Sequence, residues 1–138
     1  MRVHQETIEI TTSGRGPVNV TDRIAAVVRQ SGIEVGLCTV FVRHTSASLV
    51  IQENADPTVL ADLRAWFADL APESRDWRHD DEGPDDMPSH ALSAITRTSE
   101  AIPVSGNRLA LGTWQGIYLW EHRRRPHRRH IVVHVAGE

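Results

Sequence analysis

The sequence predicts an α+β fold: a single compact domain over residues 1–138, built as a mixed, mostly antiparallel β-sheet or sandwich with two to three helices packed on it. Three observations predict it. Short apolar, β-branched runs outnumber amphipathic helical stretches. The two kinds do not alternate regularly, which argues against a doubly wound parallel sheet. The composition, 40% hydrophobic and 24% charged over 138 residues, is globular, and a chain of this length buries roughly two thirds of its unfolded surface.

The elements follow in order. Val3 to Thr11 reads as a strand ending at the turn Ser13-Gly14-Arg15-Gly16-Pro17, where glycines and a proline break periodic structure. A helix capped by Thr21 or Asp22 carries Ile24, Val27 and Val28 as its apolar stripe and stops at Gly32. Leu37 to Val42 is a buried strand, and Leu49 to Ile51 a short second one. Asp56 as N-cap and Pro57 in the first turn open the best-marked helix, whose Val59, Leu60, Leu63, Trp66, Phe67 and Leu70 predict packing on the sheet. Pro72 to Pro88 is an acidic loop. A shorter helix runs from about Ser89 to Thr98, and Ile102–Val104, Leu109–Leu111, Gln115–His122 and Ile131–Val135 form an antiparallel meander.

Charge and residue usage remove whole classes of function. All 15 basic residues are arginine. Without lysine there is no Schiff-base chemistry and no P-loop. A net charge of −3 argues against a general nucleic-acid binder. The lone Cys38 makes no intrachain disulfide and no cysteine-cluster zinc site, and reads as a buried, inert residue. No apolar run approaches the ~18 residues that span a membrane, and Met1 to Ile10 lacks a signal-peptide core. The expectation is a soluble, cytoplasmic protein with neither nucleic acid nor membrane as partner.

Eight histidines remain as the chemical lead. His44 follows a buried strand, and His79 and His90 bracket the acidic stretch Asp80 to Asp86. Three imidazoles with nearby carboxylates are the ligand set of an open divalent site; surface imidazoles that simply titrate are the alternative. Thr45 and Ser46 stand beside His44 as catalytic candidates, although no Gly-x-Ser-x-Gly elbow surrounds them. Strand alternation places Glu121 in phase with Ile117 and Leu119, either as a functional carboxylate or as the exposed end of a strand. The arginine-rich turn Arg123 to His130 reads as an anion site or as a solvated loop.

Taken together, His44-Thr45-Ser46-Ala47, Glu53-Asn54-Ala55-Asp56-Pro57, His79-Asp80-Asp81-Glu82-Gly83, Asp85-Asp86-Met87-Pro88-Ser89-His90, Gly112-Thr113-Trp114-Gln115-Gly116 and Glu121 before its arginine-rich turn closely resemble the YjbQ, or secondary thiamine-phosphate synthase, family. The resemblance runs from the first strand to Gly137-Glu138. It implies a compact α+β trimer, a weak thiamine-phosphate synthase activity, and family histidines at His44, His79 and His90 with the acidic strand-end residue at Glu121. His122 stands where many relatives carry another residue and is not counted as a ligand. The roles of Asp85 and Asp86 stay open.

Two hypotheses result. In one, the chain is a metal-assisted enzyme on a small phosphorylated substrate. His44, His79 and His90 hold zinc or magnesium, Glu121 is base or fourth ligand, and Arg128, Arg129, Asn54 and Gln115 bind substrate or phosphate. In the other, the same pocket of a trimeric, non-catalytic protein captures a metabolite or metal. Trp114, Tyr118 and Trp120, crowded along one strand, add support for a homotrimeric interface.

Overall fold

Strand alternation decides which residues face the core. The computed structural model describes all 138 residues. Its elements are β1 (Arg2–Thr11), β2 (Gly16–Asn19), α1 (Thr21–Ser31), β3 (Val35–Val42), β4 (Ala47–Glu53), α2 (Pro57–Leu70), α3 (Asp86–Ile95), β5 (Ser99–Ser105), β6 (Arg108–Leu109), β7 (Gln115–Glu121) and β8 (Arg128–Gly137). They form a five-stranded sheet, β1-β8-β3-β5-β6, and a three-stranded sheet, β2-β7-β4. Ile8 and Ile10, Cys38 to Val42 at every second position, Ile102 and Val104, and Ile131, Val133 and Val135 turn inward from the larger sheet. They meet Leu49, Ile117 and Leu119 of the smaller one and Ile24, Val27 and Val28 of α1 in one core of 19 buried residues.

The sandwich and the three helices agree with the fold class read from the sequence. Every pairing is antiparallel, so the sheet is not mixed. Part of the expected Gly-Pro turn is strand β2, with Gly16 opposite Glu121. Pro17 is tolerated there because β2 is an edge strand. The cap of α1 is supplied by Asn19, whose Oδ1 accepts from the Thr21 N–H at 3.0 Å and its hydroxyl at 2.7 Å, rather than by Thr21 or Asp22. The Gly32 stop is present, in the left-handed region at φ 67°.

The acidic N-cap of α2 is as expected, with Asp56 accepting from the Thr58 N–H at 2.9 Å. Its packing is thinner than its periodicity suggests. Only Phe67 is buried, against Trp120 at 4.9 Å in an edge-on contact, while Trp66 is 54% exposed. Helix α3 starts three residues earlier than the sequence suggests, at Asp86, and ends at Ile95. The far face of the five-stranded sheet carries no helix, and Val3, Val35, Leu37 and Phe41 are exposed.

Strands β3 and β8 meet at Gly36 and Gly137, which are paired in register. A Cβ on Gly36 would lie 2.1 Å from the Ala136 carbonyl oxygen, and one on Gly137 would lie 2.1 Å from that of Val35. Backbone occupies the space that any side chain needs. Gly36→Ala is therefore expected to destabilise by about 3 kcal/mol or more in urea unfolding. Gly106→Ala, at φ 61° with nothing within 4 Å, is expected to cost only about 1 kcal/mol.

Candidate functional site

Glu121 ends β7 and is fully buried. Arg129, one turn later on β8, donates to its Oε1 from Nε at 2.8 Å and to Oε2 from Nη2. The Thr12 hydroxyl donates to Oε1 at 2.6 Å and the Arg123 N–H to Oε2 at 3.1 Å. Burial pushes this carboxyl up, but the hydrogen bonds from Arg129, Thr12 and Arg123 outweigh it and hold it below its ordinary value. Glu121 is thus neither an exposed strand end nor an open base or fourth ligand. Arg129, likewise buried, is committed to Glu121 and to the Ser46 carbonyl, and is not a free phosphate clamp.

The turn before Arg129 places Arg123 over the acidic loop. Its Nε donates to Asp85 at 2.9 Å and its Nη1 to Asp86 at 2.6 Å. The Arg124 N–H donates to Asp85 at 3.0 Å. Burial raises the Asp85 carboxyl, yet Arg123 and the Arg124 amide bring it down to about 2. These contacts pin the start of α3, and Asp86 and His90 then project from the same face, four residues apart.

Asp86 Oδ2 is 2.7 Å from His79 Nε2 and 3.2 Å from His90 Nε2. The two rings stand edge to face at 5.6 Å. His90 Nδ1 faces the Thr45 carbonyl at 3.1 Å, and a carbonyl only accepts, so this nitrogen carries the proton. Neutral His90 then presents the lone pair of Nε2 to the carboxylate. Such a pair of acceptors calls for a proton or a cation between them, and a carbonyl that fixes the tautomer is the usual support of a metal-ligating histidine. All three ligand atoms lie within 4.8 Å of one another. Four-coordinate zinc, with bonds of about 2 Å, spaces its ligands by about 3.3 Å, so this donor set fits such an ion.

His44 stands apart from this group. Its Nε2 accepts the His130 N–H at 2.8 Å, which leaves the ring proton on Nδ1 and removes His44 as both ligand and base through that nitrogen. Burial, followed by the Arg129 charge, lowers its pKa. It lines a hollow with Arg43, Thr45 and Ser46, and Thr45 alone ties that hollow to His90 through its carbonyl. Asn54 and Gln115 serve a loop: the Asn54 amide donates to the Thr113 and Gln115 carbonyls, and Gln115 Oε1 accepts the Gly112 N–H. Arg128 is exposed at the start of β8.

A family model described as UPF0047 protein YjbQ-like matches residues 6–138. The chain belongs to that family. A UPF0047 protein of Synechocystis is 61% identical over 138 residues, 99% of this chain and 94% of the relative. The YjbQ protein of Salmonella typhimurium is 44% identical, covering 98% and 99%. A solved YbjQ-like protein of unknown function from Sulfolobus solfataricus superposes with a TM-score of 0.88 at 28% identity over 99% of both chains. An uncharacterised YjbQ-family protein from Clostridium acetobutylicum does so with 0.88 at 30% identity, over 95% of this chain and 99% of its own.

Sequence reasoning names Asp86, Arg123 and His122 but gives none of them the part it has in this YjbQ-family chain. Asp86 and His90 show their i, i+4 spacing only once α3 is started at Asp86. His122 is 2% exposed, its Nε2 is 2.8 Å from Ser48 Oγ, and burial pushes its pKa down to about 4. An unfolded His122 takes up a proton near 6.5, whereas the folded ring stays neutral to about 4. The unfolded state binds more protons in that window, so this contribution is complete above about pH 6.5 and is lost as pH falls toward 4. The stability of the wild type should fall by about 3 kcal/mol more than that of His122→Asn between those limits, as measured by urea unfolding across pH. Breaking the buried pair by Arg129→Met should cost about 3–5 kcal/mol at neutral pH in the same assay.

Proposed function

We propose that the chain is a metal-dependent enzyme acting on a small phosphorylated molecule, with a divalent ion held by His79, Asp86 and His90. The observation that carries this reading is the meeting of two imidazole nitrogens on one buried carboxylate oxygen, with the His90 tautomer set by Thr45. Two nitrogens and one oxygen suit zinc better than magnesium. When bound, such an ion supplies Lewis-acid polarisation of a phosphoryl or carbonyl oxygen. The chain's own part is to orient the ligands: Arg123 holds the second Asp86 oxygen, and Glu82 Oε2 lies 3.1 Å from His79 Nε2. Thiamine-phosphate synthesis, the activity that the family resemblance implies, joins a pyrimidine pyrophosphate to a thiazole phosphate and expels pyrophosphate. It belongs to this class and is the first turnover to assay.

The commitment of Glu121 to Arg129 favours a second reading, capture of a metal or metabolite without turnover, since it withdraws the expected base. Elemental analysis and zinc titration calorimetry test the metal in either case. His79→Ala and His90→Ala should each lower zinc affinity at least a hundredfold and leave the metal-free melting temperature nearly unchanged, with His44→Ala binding as the wild type does. Loss of zinc in His44→Ala with retention in His90→Ala would overturn the ligand assignment.

We further propose a homotrimer. Tyr118 and Trp120 are buried inside the chain, whereas Trp114 is 64% exposed, and the bare outer sheet face with Val35, Leu37 and Phe41 supports this reading. Light scattering should give the trimer mass for the wild type and a smaller species for Phe41→Glu. A monomer mass for the wild type at micromolar concentration sinks this assignment.

A further inference from the structure

Helix α3 has a second flank. Pro88 and Leu92 lie about 200° around the helix from Asp86 and His90 respectively, at 100° per residue, and they line a cavity of about 300 Å³ that none of the three metal-group residues touches. Arg64, Phe67 and Ala71, in one row along α2, form another wall, and Trp120 and His122 a third. The apolar surfaces of Phe67, Leu92 and Trp120 make one buried cluster. That volume is at the small end of ligand pockets, about 300–1,000 Å³, and has room for a single ring with a head group.

Three guanidiniums, Arg15, Arg64 and Arg124, line the cavity and also an adjoining hollow over Ser13 to Val18. Glu73 pairs with Arg15 at 2.7 Å and with Arg124. Glu121 is already neutralised by Arg129. Arg64 has no ion pair, and its guanidinium is laid over Gly16, where a Cβ would come within 3.4 Å of Arg64 Cζ. At the floor, His122 spends Nε2 on Ser48, and its Nδ1 has no protein partner yet is not sealed from solvent; the cavity is the open space the ring lines. Thr96 Oγ1 donates to the Leu92 carbonyl at 2.7 Å, so Ser48 Oγ donates to Thr96 at 2.6 Å and accepts from His122 Nε2–H, which leaves Nδ1 as an unpaired acceptor.

We infer that this pocket binds a small organic anion: an apolar or aromatic body between Phe67, Leu92 and Trp120, with its carboxylate or phosphate on Arg64. A guanidinium without a carboxylate partner, an unpaired nitrogen on a nearly buried imidazole and an aromatic wall converge on one small volume. The inference is independent of the metal reading, because the two sites share no residue.

Titration calorimetry on the full chain tests it, with phenyl phosphate, benzoate, inorganic phosphate and benzyl alcohol as probes. Phenyl phosphate, benzoate or both should saturate one site, about tenfold or more tighter than inorganic phosphate and benzyl alcohol, and their order identifies the head group. Arg64 is exposed on α2, so Arg64→Gln should fold normally and bind at least about tenfold more weakly, with partial recovery in Arg64→Lys. His90→Ala should bind as the wild type does. Equal affinity in Arg64→Gln, no saturation at millimolar probe, or loss of binding in His90→Ala would each overturn the proposal.

Discussion

The buried pair of Glu121 and Arg129 is the constraint on which the rest of the molecule depends. Glu121 ends a strand of the three-stranded sheet, and Arg129 begins a strand of the five-stranded one. The same carboxylate holds Thr12 beyond the end of β1, and the same guanidinium holds the Ser46 carbonyl just before β4. A charge removed from water is expensive unless every lone pair is met, and here two guanidinium donors, a hydroxyl and an amide meet them. One ion pair thereby joins both sheets at the end of the sandwich where the polar groups gather.

From that pair the geometry of the group His79, Asp86 and His90 follows by short steps. Only seven residues separate Glu121 from Arg129, so the turn between them is tightly anchored at both ends. Arg123, two residues after Glu121, is carried over Asp85 and Asp86. Its planar fork divides between the two carboxylates while Nη2 reaches the Glu82 carbonyl, a spread of directions that the point charge of a lysine does not supply. The acidic loop is therefore neutralised where α3 begins, and the helix delivers His90 one turn on, against Thr45.

What could be read from the sequence is what local chemistry controls. Alternation in Ile131, Val133 and Val135, the Asp56-Pro57 start and the Gly32 stop each carry their own signal within a few residues. The start of α3 does not, because the clamp that sets it, Arg123 on Asp86, joins residues 37 positions apart. Glu121 illustrates the same limit. Its inward phase was legible, but a carboxylate facing a core is read as functional only until its arginine is found. His44 draws notice in the sequence by its position at a strand end, but its ring is spent on the His130 amide of a strand that pairs with β3 only in the folded chain. Chemical type found the right kinds of residue; long-range pairing decided which were free.

Those pairings also explain how an all-arginine protein can have both clamps and a free cation. Arg129 and Arg123 each meet a carboxylate that sits at a fixed strand or helix terminus, so their forks are used up in structure. Arg15 and Arg124 share the single carboxylate of Glu73. Arg64 comes from an exposed stretch of α2, the helix whose packing on the sheet is the thinnest, and it finds only the backbone of Gly16 beneath it. The fold thus separates two groups across α3: imidazoles and a carboxylate on one flank, and an unmatched guanidinium above an aromatic wall on the other. Pro88 and Leu92 alternate with Asp86 and His90 along the same two turns, so one helix serves both flanks without any residue being shared.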